Sequence, residues 1–221
     1  MTLKQKLLAE FLGTAGLLIV VVGSGIMGES LSQGNAAIAL LANSIATGAG
    51  LYALIQTFGG ISGAHFNPAV TIVERLWNRI STTDAIAYSI VQVSGAVVGV
   101  LLTHVMFGHT IFQLSLRDRN EPRLWLSEFL ATFGLILVIA LSGKKNVHAT
   151  PAAVALFITA AYWCTSSTAF ANPAVTIARS FTDTFSGVQW TGAPAFIAAQ
   201  LAGAFAAYSI LGKLLPSRGE L

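Results

Sequence analysis

Two near-identical segments carry the clearest chemistry in this chain. Asn67-Pro68-Ala69 and Asn172-Pro173-Ala174 are each followed by Val-Thr-Ile. Asn is a favoured helix N-cap and Pro a favoured first helical residue. Residues 68–78 and 173–182 therefore read as short helices of about 10 residues, or about 15 Å. That is half of a roughly 30 Å hydrocarbon core. Two such helices meeting head to head would place partial positive charge at mid-membrane and oppose cations. A capping Asn turns its oxygen to the helix backbone and leaves its NH₂ donors for an uncharged, hydroxyl-bearing solute. The competing reading is a pair of ordinary surface-helix caps; two copies in repeated halves favour a pore.

Few other side chains offer chemistry. Glu10 and Glu128 are the only acids within their apolar stretches and occupy equivalent positions. An intramembrane carboxylate is a functional candidate, proton coupling included. His65 stands just before the first Asn-Pro and is expected to hold its loop, whereas His148, beside Lys144 and Lys145, reads as an interfacial residue. His104 and His109 lack partners at ligand spacing, so neither a metal nor any cofactor is expected. The single Cys164 reads as a small core thiol, with a pore-facing position as the alternative. The sequence lacks a phosphate loop and a nucleophile beside a plausible base, so an enzyme is not expected.

The elements that must position these groups follow from where charge is missing. Of the 221 residues, 54% are apolar and only 10% charged, against roughly 25% charged in soluble domains. The net charge of +3 is too small and scattered for nucleic acid. Asp, Glu, Lys and Arg are missing from 11–28, 30–73, 85–116, 129–143, 146–178 and 184–212. A membrane span needs roughly 20 apolar residues, so six spans are expected near 7–27, 36–58, 84–107, 124–142, 148–168 and 190–212. Lys4, Lys6, Arg75, Arg79, Lys144, Lys145, Lys213 and Arg218 then share one side. Arg117, Arg119, Arg123 and Arg179 share the other, which places both termini in the cytoplasm.

The chain also repeats itself. LAEFLGTAGLLIV at 8–20 matches LSEFLATFGLILV at 126–138, FNPAVTI at 66–72 matches ANPAVTI at 171–177, and QVSGA at 92–96 matches QLAGA at 200–204. Three elements recurring in one order define halves 1–108 and 124–221, joined by an outer linker at 109–123. Each half holds three spans, an odd number, so the halves must be inverted, with a site at their interface. Gly95–Gly99 and Gly203–Ala207 read as close helix crossings.

With AEFLGT at 9–14, SGAHFNPAVT at 62–71, SEFLAT at 127–132 and NPAV at 172–175, the chain resembles the aquaporin and aquaglyceroporin, or major intrinsic protein, family. The resemblance implies an all-α membrane fold of six transmembrane helices and two re-entrant half-helices, a pore in each protomer, and a homotetramer in a plasma membrane. It gives Glu10 and Glu128 a structural role, accepting hydrogen bonds from the re-entrant loops, and Gln92 and Gln200 a similar one. In most of the family an Arg follows the second Asn-Pro-Ala and forms the filter. Here that residue is Val175, and a gapless count puts the other filter positions at Thr47, Ala160 and Ala169.

All four are small and uncharged, so a wide, mostly apolar filter is expected, passing glycerol-type polyols, urea and water. The stretch NPAVTIARS is similar to a bacterial subgroup associated with arsenic-resistance operons, which extends the expectation to undissociated arsenite or methylated arsenicals. Arg179 lies one turn beyond Val175; it either guards the outer mouth or ends its helix in outer solvent. A water-selective pore is the nearest alternative function, and an ion-coupled transporter a more distant one.

Overall fold

The computed structural model describes residues 1–145 and 147–214. Arg218 and the side chain of Lys145, both counted in the charge asymmetry, lie outside the described residues. The described residues form eight α-helices: α1 (Leu3–Leu31), α2 (Ala36–Ser62), α3 (Pro68–Leu76), α4 (Thr82–Phe107), α5 (Pro122–Lys145), α6 (Thr150–Cys164), α7 (Pro173–Arg179) and α8 (Ala193–Leu214). Five of these are long and apolar enough to cross a membrane.

Local chemistry sets the boundaries. Thr2 and Gln5 form a capping box that starts α1. The Asn35 side chain accepts from the amides of Ala37 and Ile38 to start α2, which ends at Gly63 with φ 91°. Ser81 caps α4, which stops at left-handed Gly108.

The expected fifth span, 148–168, is corrected. Its α-helix covers only Thr150–Cys164, 15 residues after a short 3-10 turn at Val147–Ala149. Fifteen residues make about 22 Å of helix, because the chain beyond Cys164 turns back into the protein instead of continuing outward. The two short helices are likewise 9 and 7 residues long, shorter than the expected 68–78 and 173–182.

The long helices pack in matching pairs, α1 on α4 and α5 on α8. Their contacts depend on glycine. A Cβ added to Gly95 or Gly99 would run into the carbonyls of Phe11 or Ala15, and one on Gly203 into the carbonyl of Phe129. Backbones that touch this closely need the small residues the sequence places there. Bulky apolar side chains instead cover the outside: Leu8, Ile86, Ile90, Leu130 and Leu156 are all exposed. A surface of this kind is stable only against lipid or another apolar partner.

The segment 109–121 is not a free linker. The Ser115 amide donates to Ser180 O (3.0 Å), the Gln189 amide to Arg117 O (2.7 Å), and the Leu116 amide to the Asp183 carboxylate (2.9 Å). His104 is fully buried, with Nδ1 2.8 Å from Ile111 O and Nε2 2.9 Å from Thr182 Oγ1. It ties the end of α4 to the chain on both sides, which accounts for a histidine without metal partners. Cys164 is exposed and does not line the cavity described below, so neither its core nor its pore position holds.

Candidate pore

Two buried carboxylates fold the loops that lead into α3 and α7. Glu10 Oε1 accepts from Ser62 Oγ (2.6 Å) and the His65 amide (3.0 Å). Its Oε2 accepts from the Phe66 amide (2.7 Å) and Gln92 Nε2 (2.8 Å). Glu128 repeats the pattern with the amides of Phe170 (2.9 Å) and Ala171 (2.8 Å) and with Gln200 Nε2 (2.6 Å). Gln92 and Gln200 also reach the hydroxyls of Thr71 and Thr176, at 2.9 and 2.8 Å. These contacts hold a strained backbone. Ala64 and Phe66, and equivalently Ala169 and Ala171, have φ between 48° and 51° without being glycine. Charge-assisted hydrogen bonds to adjacent amides are strong enough to offset such strain.

The same loops deliver the two asparagines to each other's half. Asn67 Oδ1 accepts from the Ala69 amide (2.9 Å), while its Nδ2 donates to Ala171 O (2.8 Å). Asn172 Oδ1 accepts from the Ala174 amide (2.9 Å), while its Nδ2 donates to Phe66 O (2.7 Å). The caps are therefore as the sequence implies, but the donors are not wholly free. Each NH₂ group carries two hydrogens, and one of them is committed to the opposite half. Pro68, Ala69, Pro173 and Ala174 are buried behind the asparagines in the first turns of α3 and α7.

A cavity of about 750 Å³ passes both asparagines. One region of its wall carries Glu74, Arg79, Lys144 and His148, and another carries Thr47, Tyr162, Ala169, Val175 and Arg179. His65 lines it too, with Nδ1 3.1 Å from Thr71 Oγ1. Among the described residues no group of three or more His, Cys, Asp or Glu is placed to hold a metal.

Two expectations for the wall are corrected. Ala160 is exposed and does not line the cavity; Val154, Ile158 and Tyr162 do. At about 100° per residue, position 160 points roughly 200° from both 158 and 162. The face of α6 that reaches the cavity is the row Val154, Ile158 and Tyr162, which a gapless count from Asn172 does not find. In place of a small side chain, α6 offers Tyr162, whose hydroxyl lies 3.2 Å from Thr47 Oγ1.

The second correction concerns Arg179. It is only 2% exposed, so the outer-solvent reading fails. Its Nε donates to Ser186 O, and its guanidinium lies 3.4 Å from the Phe170 ring centroid. Arg119 approaches the same ring at 5.5 Å, donating to Gly187 O (2.9 Å) and Ser167 O (3.3 Å). Burial first, and the charge of Arg117 second, draw the Arg119 guanidinium below its ordinary pKa range. The wall is thus neither uniformly small nor uncharged. Tyr162, Phe170 and Arg119 escaped the sequence reading, which sought only one-for-one filter positions.

The comparisons with known proteins agree with this architecture. The model of the family described as "Major intrinsic protein" matches residues 1–161 and 115–220. Aquaglyceroporin AqpS of Rhizobium meliloti (strain 1021) is 48% identical over 217 residues, covering 98% of this chain and 93% of that protein. Aquaporin NIP1-4 of Oryza sativa subsp. japonica is 30% identical, over 95% of this chain and 78% of its own. The X-ray structure of the aquaglyceroporin from Plasmodium falciparum superposes with a TM-score of 0.79 at 19% identity, covering 97% of each chain, a likeness of fold. The chain belongs to the major intrinsic protein family, whose members are membrane channels and not enzymes.

Proposed function

We propose that this channel conducts small uncharged solutes of the glycerol and urea type, with water, by passive diffusion. The observation that carries the reading is the reciprocal Asn67–Asn172 arrangement inside a continuous cavity. Each asparagine retains one N–H for a solute hydroxyl, and the apolar wall of Leu17, Val21, Leu51 and Val175 accommodates a carbon backbone. Thr47, Ala169 and Val175, joined by Tyr162 and Arg179, make the filter in this reading. Undissociated arsenite, a small neutral polyhydroxyl molecule, is suited to the same path.

The halves 1–108 and 124–221 are read as inverted repeats about the linker 109–123, with both termini cytoplasmic in a plasma membrane. Homotetramer assembly would cover exposed apolar groups such as Ile38, Leu41 and Trp163. The carboxylates of Glu10 and Glu128 are committed to loop amides, which argues against their use in ion coupling.

A second reading has a specific observation behind it. Tyr162 and Arg179 add bulk and polarity at the filter, as a water-selective pore would require. Stopped-flow light scattering on reconstituted vesicles separates the two. Glycerol and urea flux above protein-free vesicles supports the first reading; water flux alone selects the second.

A further inference from the structure

Arg179 heads the fully buried side chains by volume, yet it pairs with no carboxylate among the described residues. The ion pairs among the described residues are Arg79–Glu74, Arg117–Glu29 and Arg123–Glu121. Arg179 spends its Nε–H on Ser186 O and one face of its guanidinium on Phe170. Its terminal N–H groups have no hydrogen-bond partner among the described residues, and its side chain lines the cavity. Arg119 backs the other approach to Phe170 and is fixed by the neighbouring carbonyl, Gly187 O. Successive carbonyls thus orient two guanidinium groups on one ring.

Neither guanidinium makes a direct ion pair among the described residues, although the charge of Glu128 acts on both. Glu128 is occupied by the amides of Phe170 and Ala171 and by Gln200. The Tyr162 hydroxyl is engaged with Thr47. The terminal N–H groups of Arg179 are left to face the cavity, and a guanidinium's planar fork of donors matches two oxygens of an oxyanion.

We infer that Arg179, supported by Arg119 across Phe170, is a binding site for a small monovalent oxyanion such as a carboxylate or sulfonate, and that an anion seated there slows neutral-solute flux. The inference rests on the channel reading above.

Methanesulfonate is a suitable probe, since it stays monoanionic at neutral pH and carries its oxygens in the required geometry. Glycerol flux into vesicles is measured in sodium methanesulfonate and in sodium chloride at equal ionic strength. Wild-type flux is expected to be roughly halved by tens of millimolar methanesulfonate relative to chloride. Arg119→Gln is expected to raise the half-inhibiting concentration about tenfold, Arg119→Lys to retain most of the inhibition, and Arg123→Gln, an exposed arginine paired with Glu121, to leave it unchanged. Equal flux in the two salts, or inhibition of Arg119→Gln at the wild-type concentration, overturns the site. If glycerol does not pass at all, the channel reading fails separately. The site is then decided in detergent, where methanesulfonate but not chloride must raise the melting temperature of wild type more than that of Arg119→Gln.

Discussion

The Tyr162 hydroxyl lies 3.2 Å from the Thr47 hydroxyl, joining α6 to α2 within the cavity wall. The pair adds an aromatic ring and two hydroxyls to a wall that also carries the smaller Ala169 and Val175. Tyr162→Ala removes both the ring and the bridge. The ratio of five-carbon polyol flux to glycerol flux is expected to rise severalfold, because size discrimination in a pocket amounts to about 1–3 kcal/mol per methylene. Stopped-flow light scattering gives the ratio directly, and an unchanged value would remove Tyr162 from the filter.

Glu10→Gln and Glu128→Gln test the loop supports. Each carboxylate accepts from two consecutive or nearby amides with opposite oxygens. A carboxamide presents one acceptor and one donor, so one amide must face an NH₂ group. Losing a buried charge-assisted hydrogen bond costs about 1.5–3 kcal/mol, and the strained residues at 64, 66, 169 and 171 lose their restraint. Both variants are expected to melt several degrees lower in detergent, as followed by tryptophan fluorescence. Intact melting with lost flux would indicate a direct conduction role instead.

How far the sequence alone reaches depends on whether a residue acts through local rules. Asn67 and Asn172 were legible because N-capping is decided within one helical turn, whereas the second expected span stopped at 58 and missed the left-handed Gly63 that ends α2. Glu10 and Glu128 stood out because a charge in an apolar run needs a partner. Ala160 went wrong because one register choice in a turn rotates an entire helix face, and no local rule fixes that register. Arg179 was ambiguous for a related reason. Its burial depends on Ser186 and Phe170 folding against it, both tertiary contacts.

The helix crossings provide a stability test independent of flux. Gly95→Ala and Gly203→Ala each place a methyl group against a carbonyl of the facing helix, at Phe11 and Phe129 respectively. Backbone cannot yield as a flexible side chain can, so each substitution is expected to cost about 1–3 kcal/mol. Gly212→Ala, where a Cβ meets nothing within 4 Å, is expected to be neutral. Melting temperatures of the three variants check the contrast, and equal values would mean that the crossings relax freely.

Val175→Arg restores a guanidinium directly after the second Asn-Pro-Ala, but the site already holds one. Positions 175 and 179 lie one helical turn apart on the same face, and both side chains line the cavity. The new side chain has two penalties to meet. It must fit where Val175 is only 5% exposed, and it faces the like charge of Arg179, which pairs with no carboxylate among the described residues. It is therefore expected to occupy the open part of the cavity, where water can still solvate it. Glycerol flux should fall at least tenfold, about 1.4 kcal/mol in barrier, whereas water flux should fall much less because a narrower path still admits a single molecule. Combining Val175→Arg with Arg179→Gln relieves the repulsion and should restore stability without restoring glycerol flux. If Val175→Arg conducts glycerol at the wild-type rate, the cavity beside Val175 is not the limiting passage, and selectivity must be set at the Asn67–Asn172 level instead.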